Sequence, residues 1–265
     1  MLMEIVQANC PNVTEKTIGN REEWLKDKSE RENAEEGDLK GFDCRKCKNK
    51  GYIVKVIDGE QIQQRCTCLN VRKSLKRIKE SGLEPLLEEM TFEKYEAKED
   101  WQKHALSLSQ NYLEFGNDKW LFFGGQSGAG KTFLCTAVSG ELLKRGNSLK
   151  YMMWRDESTK IKAIVNDASQ YTRMVDDLKS VDILYIDDFL KTQQGQMPTP
   201  ADILLAYEIL NYRAVNKLRT IISTERGIDE ILTLDEALGG RINVMSRGYQ
   251  MNIARDRNKN YRLRR

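Results

Sequence analysis

The sequence lacks the features that would place it in a membrane or outside the cell. None of its 265 residues belongs to a stretch approaching the roughly 18 consecutive apolar residues of a membrane span. The first ten residues, MLMEIVQANC, lack the charged and apolar regions of a signal peptide. We therefore expect a cytoplasmic protein with no membrane partner.

Histidine is nearly absent, and the charge is balanced. The one histidine, His104, lies in the helix-like stretch DWQKHALSLSQNYL, where a structural role is the ordinary one, so histidine catalysis is almost excluded. A formal charge of +3 beside 43 basic and 40 acidic side chains argues neither for nor against nucleic acid. The length and the 40% hydrophobic content predict two domains with cores of ordinary size.

A phosphate-binding loop is the most specific motif. Residues 120–132 read WLFFGGQSGAGKT, in which positions 125–132 match the pattern GxxxxGK[ST] between a strand-like and a helix-like run. Its glycines let the backbone N–H groups point at phosphate oxygens, so the sequence predicts ATP binding. The loop residues are Gly125, Gln126, Ser127, Gly128, Ala129, Gly130, Lys131 and Thr132.

Two acids that follow an apolar run predict the metal side of the same site. Residues 181–188 read VDILYIDD, which is typical of a buried central strand. In such ATPases Lys131 would contact the β and γ phosphates, while Thr132 and Asp187 would hold Mg²⁺. Asp188 could polarise the attacking water, but it is one methylene shorter than glutamate, so we expect slow hydrolysis. The alternative is a pair of acids that only caps a strand.

Four of the six cysteines predict a zinc site. The expected ligands Cys44, Cys47, Cys66 and Cys68 have the spacing C-x2-C-x18-C-x-C, which suits tetrahedral Zn²⁺. Between the pairs, Asp58-Gly59 predicts a hairpin turn that would bring them together. The second pair is shorter than the usual C-x2-C, so reduced thiols are the alternative.

The remaining pattern alternates strands and helices, which predicts an α/β fold with a parallel five-stranded sheet. The predicted strands are residues 120–123, 149–154, 183–187, 220–223 and 249–253. The predicted helices are residues 132–145, a stretch within 160–178, 201–216 and 228–232, the third of them capped by Thr199. Three regions are expected: an acidic helical arm at 1–40, a zinc-ribbon module with a linker helix at 41–82, and an ATPase domain at 83–265.

Several motifs together resemble one family. GQSGAGKT, ILYIDDF, IISTER, GGRINVMSRGY and NYR, with the cysteine ribbon, SGL and TFEKY, are similar to AAA+ ATPases of the DnaC/DnaI type, which load bacterial replicative helicases. The resemblance covers residues 40–265 and implies an AAA+ fold. IstB-like transposition helpers share much of the core.

The resemblance also implies roles for residues outside the loop. Thr224 matches the sensor of the γ-phosphate, with Ser223 as a substitute. Arg241 matches the arginine that reaches a neighbouring subunit's nucleotide, with Arg247 as the runner-up. For either arginine, a pair with an acid of its own subunit is the alternative. An arginine acting between subunits would couple ATP to self-association.

The implied partners are a hexameric replicative helicase and single-stranded DNA. Lys160, Lys162 and Arg173 are candidate DNA contacts, although ordinary surface cations are the stronger expectation. The acidic arm and the ribbon are assigned to partner docking. An IstB-like helper of DNA transposition, or a zinc adaptor that binds ATP with little hydrolysis, remain alternatives.

Overall fold

The computed structural model describes residues 15–41, 43–81, 83–193 and 196–263. Residues 1–14 of the expected acidic arm lie outside this set. The chain divides into two compact units, Met1–Arg72 and Lys73–Arg265. The division falls within a helix, ten residues before the boundary expected at residue 82.

The first unit contains a helix and a β-hairpin. Helix α1 (Glu15–Ala34) precedes strands β1 (Tyr52–Ile57) and β2 (Glu60–Arg65), which pair antiparallel along their whole length. At the turn, Asp58 and Gly59 have φ angles of 53° and 76°, the left-handed values that a two-residue hairpin turn requires. The predicted hairpin is confirmed.

Polar side chains tie α1 to the hairpin. Asn33 Nδ2 donates to the carbonyl oxygen of Val54 at 2.8 Å, and Asn33 Oδ1 accepts from the N–H of Val54 at 2.9 Å. Gln61 Nε2 donates to Ser29 Oγ at 2.9 Å. These bonds place the helix and the hairpin in one unit, whereas the charge pattern predicts a separate arm that ends at residue 40.

The second unit contains the five-stranded parallel sheet that the sequence predicts. Its strands are β3 (Trp120–Gly125), β4 (Leu149–Met153), β5 (Ile183–Asp187), β6 (Arg219–Ser223) and β7 (Gln250–Ile253). The order across the sheet is β4-β5-β6-β3-β7, and all neighbours are parallel. The carboxyl ends of β5, β6 and β3 therefore lie side by side, where open α/β sheets bind ligands.

The remaining helices precede, connect or follow these strands along the chain, and the first of them begins in the first unit. They are α2 (Cys68–Ser81), α3 (Glu84–Glu89), α4 (Asp100–Phe115), α5 (Lys131–Lys144), α6 (Trp154–Ala163), α7 (Ala168–Ser180), α8 (Pro200–Val215), α9 (Ile228–Leu234) and α10 (Glu236–Met245). Short 3₁₀ turns occupy Phe92–Lys94, Arg257–Lys259 and Tyr261–Leu263. Within the described parts of the chain, no helix has both the length and the apolar character to cross a membrane.

Helix starts follow their capping residues. Thr199 caps α8 as predicted, since its hydroxyl accepts from the N–H of Asp202 at 3.2 Å. The stretch predicted within residues 160–178 is two helices, α6 and α7. Asp167 separates them because its carboxylate accepts from the N–H of Gln170 at 3.0 Å and starts a new helix.

Apolar side chains cover both faces of the sheet. Phe122 and Ile222 belong to a cluster with helices α6 to α10, whereas Leu121, Phe123 and Ile221 belong to a cluster with α4 and α5. All five side chains are fully buried. Since side chains alternate along a strand, a central strand buried on both faces reads as a continuous apolar run.

Candidate functional site

The phosphate loop joins β3 to α5 through left-handed glycines. Gly125, Gly128 and Gly130 have φ angles of 97°, 70° and 83°. A Cβ atom on Gly125 would collide with the carbonyl oxygen of Ile253 in β7, so this position requires glycine for space as well as for conformation. Helix α5 begins at Lys131, within the loop motif, and the N-terminal end of its dipole favours an anion there.

Lys131 lies inside the loop. Its Nζ donates to the carbonyl oxygens of Gly125 at 2.9 Å and Gln126 at 2.7 Å, and the residue is only 7% exposed. Burial lowers the pKa of Lys131, while the nearby carboxylates of Glu225 and Asp188 act in the opposite direction. Neutral carbonyls hold this cation without neutralising it, which leaves its charge for phosphate oxygens.

Asp187, at the carboxyl end of β5, accepts hydrogen bonds from three hydroxyl groups. Thr132 Oγ1 donates at 3.0 Å, the Tyr151 hydroxyl donates at 3.2 Å, and Ser223 Oγ donates as well. Asp187 is 5% exposed. Mg²⁺ prefers such oxygen ligands, so the Thr132 hydroxyl and the Asp187 carboxylate have the chemistry and proximity that the predicted magnesium site requires.

A cluster of three charges lies beside Asp187. The Nζ of Lys191 is 2.9 Å from Asp188 Oδ2 and 3.2 Å from Glu225 Oε1. Burial raises the pKa of Glu225, but the charge of Lys191 and a hydrogen bond with Ser127 outweigh it, so the pKa lies below its ordinary value. Glu225 and Lys191 were not among the predicted site residues.

One cavity of about 750 Å³, a volume within the range of small-molecule sites, is lined by Lys131, Thr132, Asp187, Asp188, Lys191 and Glu225. Its remaining wall includes Tyr95, whose ring centre lies 5.4 Å from that of Phe133, and Tyr261. The backbone N–H of Tyr261 donates to the carbonyl oxygen of Gly128 at 3.0 Å. The hydroxyl of Tyr95 is buried without a partner among the described residues, and burial raises its pKa to about 12. TFEKY and NYR, which contain these tyrosines, thus belong to the site.

Thr224 is turned away from the cavity. It is fully buried, and its hydroxyl donates to the carbonyl oxygen of Phe189 at 2.7 Å and accepts from the N–H of Arg226 at 3.1 Å. The substitute Ser223 donates its hydroxyl to Asp187. The sensor assignment of Thr224 does not fit this bonding, and Glu225 is the residue after β6 that lines the cavity.

The two candidate arginines lie outside the cavity. The guanidinium carbon of Arg241, in α10, is 5.5 Å from the ring centre of Tyr207, and its buried Nε has no partner among the described residues. Arg247 is exposed. Within the described part of the chain neither arginine pairs with an acid. The ion pair within its own subunit, which was the alternative for each arginine, is therefore not seen among these residues.

The candidate DNA-binding lysines have acidic partners in their own chain. Lys160 pairs with Glu157 at 2.8 Å, and Lys162 pairs with Asp202. Arg173 is exposed on α7. None of the three lines the cavity of the phosphate loop.

In the first unit the four predicted zinc ligands come together. Their Sγ atoms all lie within 4.8 Å of one another, with 3.8 Å between Cys44 and Cys66 and 3.4 Å between Cys47 and Cys68. Thiolates around tetrahedral Zn²⁺ are about 3.8 Å apart, since the Zn–S bond is about 2.3 Å. The N–H of Gly51 also donates to Cys47 Sγ at 3.3 Å. This donor set fits zinc.

Known proteins resemble the chain over most of its length. The family profile described as the bacterial DnaA ATPase domain matches residues 88–247. The phage-like element PBSX protein XkdC of Bacillus subtilis (strain 168) is 29% identical, over 81% of this chain and 83% of XkdC. The replicative helicase loader DnaC of Escherichia coli (strain K12) is 29% identical, over 64% of this chain and 68% of DnaC.

Solved structures show the same fold. The crystal structure of DnaI has a TM-score of 0.53 at 19% identity, with 64% of this chain and 93% of DnaI covered. The chain spans about half the length of the solved DnaA chains it matches, 50% in DnaA bound to AMPPCP and single-stranded DNA. The resemblance drawn from the motifs is confirmed. The chain belongs to the family of the bacterial DnaA ATPase domain and is an AAA+ ATPase of the DnaC type.

Proposed function

We propose that the protein is an ATP-dependent loader, which binds a hexameric replicative helicase in the cytoplasm and helps to place it on single-stranded DNA. The observation that carries this proposal is the assembled loop cavity, in which Lys131, Thr132 and Asp187 converge, in a chain that is similar to a loader. ATP binding and slow hydrolysis would be the switch between holding and releasing the helicase.

Within the cavity, the residues take the roles expected of a phosphate-loop ATPase. The loop holds the phosphates, Lys131 contacts the β and γ phosphates, and Thr132 and Asp187 hold Mg²⁺. Bound Mg²⁺ supplies positive charge opposite the phosphate oxygens. Asp188 polarises the attacking water, and its short side chain and its pair with Lys191 are the reasons for slow hydrolysis.

Arg241 would complete the ATP site of a neighbouring subunit. Its guanidinium is not committed to an acid among the described residues of its own chain, which supports a role between subunits. Self-association and nucleotide state would then be thermodynamically coupled, with ATP favouring assembly.

The first unit would bind one Zn²⁺ and dock on the helicase. Four protein ligands leave no open position for water, so this zinc would stabilise a surface without catalysing a reaction. Trp24 on α1 is 59% exposed, and Ile57 and Ile62 at the hairpin are 47% and 44% exposed, so this unit presents large apolar side chains that a partner could cover. Lys160, Lys162 and Arg173 remain the proposed DNA contacts, and for the two lysines this requires exchange of their present ion pairs.

Native mass spectrometry tests this function. The protein is mixed with the replicative helicase of its source in ATP, in ADP and without nucleotide. We expect a complex with the helicase hexamer whose abundance depends on the nucleotide, and we expect Lys131→Ala to remove that dependence. Lys144→Ala is the matched control, because Lys144 lies at the other end of α5 and pairs with Glu141 at 2.6 Å on the surface.

The other outcomes identify the alternatives. If no helicase complex forms in any condition and ATP drives assembly on duplex DNA, the transposition-helper function replaces the loader. If the wild type and Lys131→Ala form the same amount of complex in ATP, in ADP and without nucleotide, the protein is an adaptor whose partner binding does not use ATP.

A further inference from the structure

The loader proposal uses Lys191 only as the partner of Asp188 and gives it no part in nucleotide binding. Its ammonium lies between the carboxylates of Asp188 and Glu225, at 2.9 Å and 3.2 Å, and its side chain is 36% exposed at the cavity wall. Asp188 follows β5 and Glu225 follows β6, which are neighbouring strands. Lys191 therefore joins the two strand ends where a terminal phosphate of ATP would lie, beside Lys131, Thr132 and Asp187.

The residues expected to read the terminal phosphate have hydroxyl groups that are hydrogen-bonded within the chain. The hydroxyl of Thr224 is committed to backbone groups, and that of Ser223 is committed to Asp187. Two further cations line the cavity besides Lys131 and Lys191. Lys94 donates to the carbonyl oxygen of Glu88 at 2.7 Å, and Arg262 belongs to the exposed Tyr261–Leu263 turn. Among the cavity cations, Lys191 is the one paired with acids at the ends of β5 and β6.

We propose that Lys191 is the group that distinguishes a nucleoside triphosphate from a diphosphate, by exchanging Glu225 for an oxygen of the terminal phosphate. This inference rests on the proposed ATP binding. A lysine ammonium has three donors on a flexible stem, so it can keep Asp188 while one donor moves from Glu225 to phosphate. With a diphosphate bound, the ammonium stays between the two carboxylates.

Glu225 is able to release this cation. Its side chain is 41% exposed, so its carboxylate can return to water when the lysine turns to the phosphate. Although burial lowers the pKa of Lys191, Asp188 and Glu225 raise it above its ordinary value, so the ammonium is charged at neutral pH. Glu225 thus competes with the terminal phosphate for one donor.

This competition predicts that removal of the Lys191 ammonium and removal of the Glu225 charge have opposite effects on the affinity for a triphosphate. Without the ammonium, the triphosphate loses a charge-assisted contact that the diphosphate never had. Without the charge of Glu225, the ammonium meets less competition for the triphosphate. A residue with a purely structural role would change the affinities for both nucleotides in the same direction.

The test compares affinities for ADP and for the non-hydrolysable β,γ-imido analogue of ATP, measured by calorimetry with Mg²⁺ on the full chain. We expect Lys191→Met to weaken binding of the analogue by about tenfold or more, the size of one charge-assisted hydrogen bond. Its ADP affinity should change by less than about twofold. Glu225→Gln should tighten binding of the analogue by about threefold, in line with loss of one exposed ion pair.

Lys179→Met is the matched control. Lys179 also lies between two carboxylates, those of Glu208 at 2.7 Å and Asp176 at 3.9 Å, but it does not line the cavity of the phosphate loop. Both nucleotide affinities should stay as in the wild type. Lys191→Arg, which keeps the charge, should retain most of the selectivity for the analogue.

The outcomes separate the two proposals. If the wild type binds neither nucleotide, the proposed ATP-dependent function fails. If the wild type binds both, and Lys191→Met weakens both equally or neither, the role of Lys191 is overturned while the ATP site stands. If Lys191→Met does not fold, Glu225→Gln decides, because the absence of a selective gain for the analogue also overturns this role.

Discussion

The two units of the chain have different kinds of interior. Among the described side chains of the first unit, the buried apolar residues other than cysteine are Leu25 and Val54. The three buried cysteines Cys47, Cys66 and Cys68 form its core cluster. The second unit has two large apolar clusters, one on each face of the sheet.

If the proposed zinc binds, one chain combines a metal-dependent part with a part that folds on its own apolar core. A small unit cannot bury enough apolar surface to offset its conformational entropy, so it needs a metal or another cross-link. The sheet of the second unit buries enough to stand without one.

Removal of zinc should unfold the first unit and leave the second intact. Structural zinc contributes about 10–16 kcal/mol in zinc-finger peptides, more than the total stability of most domains. We expect a chelator, or Cys47→Ser, to abolish hydrogen-exchange protection in β1 and β2 and to leave β3 and β5 protected. Cys135→Ala is the control, since Cys135 is buried in α5 and should not affect zinc content. Equal loss of protection in β5 would contradict the separation.

Arg213→Leu should destabilise only the second unit. Arg213 is fully buried and donates to the carbonyl oxygens of Leu178 at 3.0 Å and Val181 at 2.8 Å, and to Thr220 Oγ1 at 2.9 Å. Burial lowers its pKa to about 9, so it is charged at neutral pH. Its replacement leaves several buried acceptors without a hydrogen-bond donor. We therefore expect the free energy of unfolding in urea to fall by about 3–5 kcal/mol. A decrease below about 1 kcal/mol, or any loss of zinc, would count against this account.

ATP should stabilise the second unit alone. At a concentration one hundred times its Kd, a ligand adds about 2.7 kcal/mol to the free energy of unfolding of the state that binds it. We expect this gain in the hydrogen exchange of β3 and α5 and no gain in the hairpin. Lys131→Ala should remove the gain, while Lys144→Ala should keep it. Protection that spreads to the hairpin would show that the units are coupled.

Asp202→Asn should have the smallest effect, and this effect should depend on pH. Burial raises the pKa of Asp202, but Lys162 and Thr199 outweigh it, so the pKa in the folded state lies below the ordinary 3.8. A carboxylate with a lowered pKa stabilises the fold above about pH 4 and loses this contribution as the pH falls through the folded value.

We expect Asp202→Asn to cost about 1 kcal/mol at pH 7, the size of one helix cap, and this difference from the wild type to shrink below pH 3.8. Asp176→Asn is its control, because that carboxylate is 61% exposed. A difference that persists unchanged in acid would show that the charge of Asp202 is not the cause.

The strands of the sheet and the hairpin could be predicted from the sequence because they depend on local residue patterns. The strands of the sheet are apolar runs that precede turns or acids, and the hairpin depends on Asp58-Gly59. The sequence does not predict the break at Asp167, because an aspartate that caps a new helix cannot be told from one on the polar face of a continuous helix. Only its hydrogen bond to the N–H of Gln170 distinguishes the two.

The site could be predicted only where it lies within one segment. The loop and Asp187 have such local signals, whereas Glu225 depends on β6 lying beside β5, and Tyr95 meets Tyr261 at the loop from the other end of the domain. Thr224 and Glu225 differ by one position, and adjacent residues at a strand end face opposite ways. A shift of one residue in matching a motif therefore changes which side chain lines the cavity.

The carboxamide of Asn33 also covers part of an exposed sheet edge. It occupies both the N–H and the carbonyl oxygen of Val54. These two groups would otherwise be open to a strand from another molecule, because a two-stranded sheet has two edges. Asn33 imitates one peptide group of a third strand, so another strand could pair with the middle of β1 only after displacing this carboxamide.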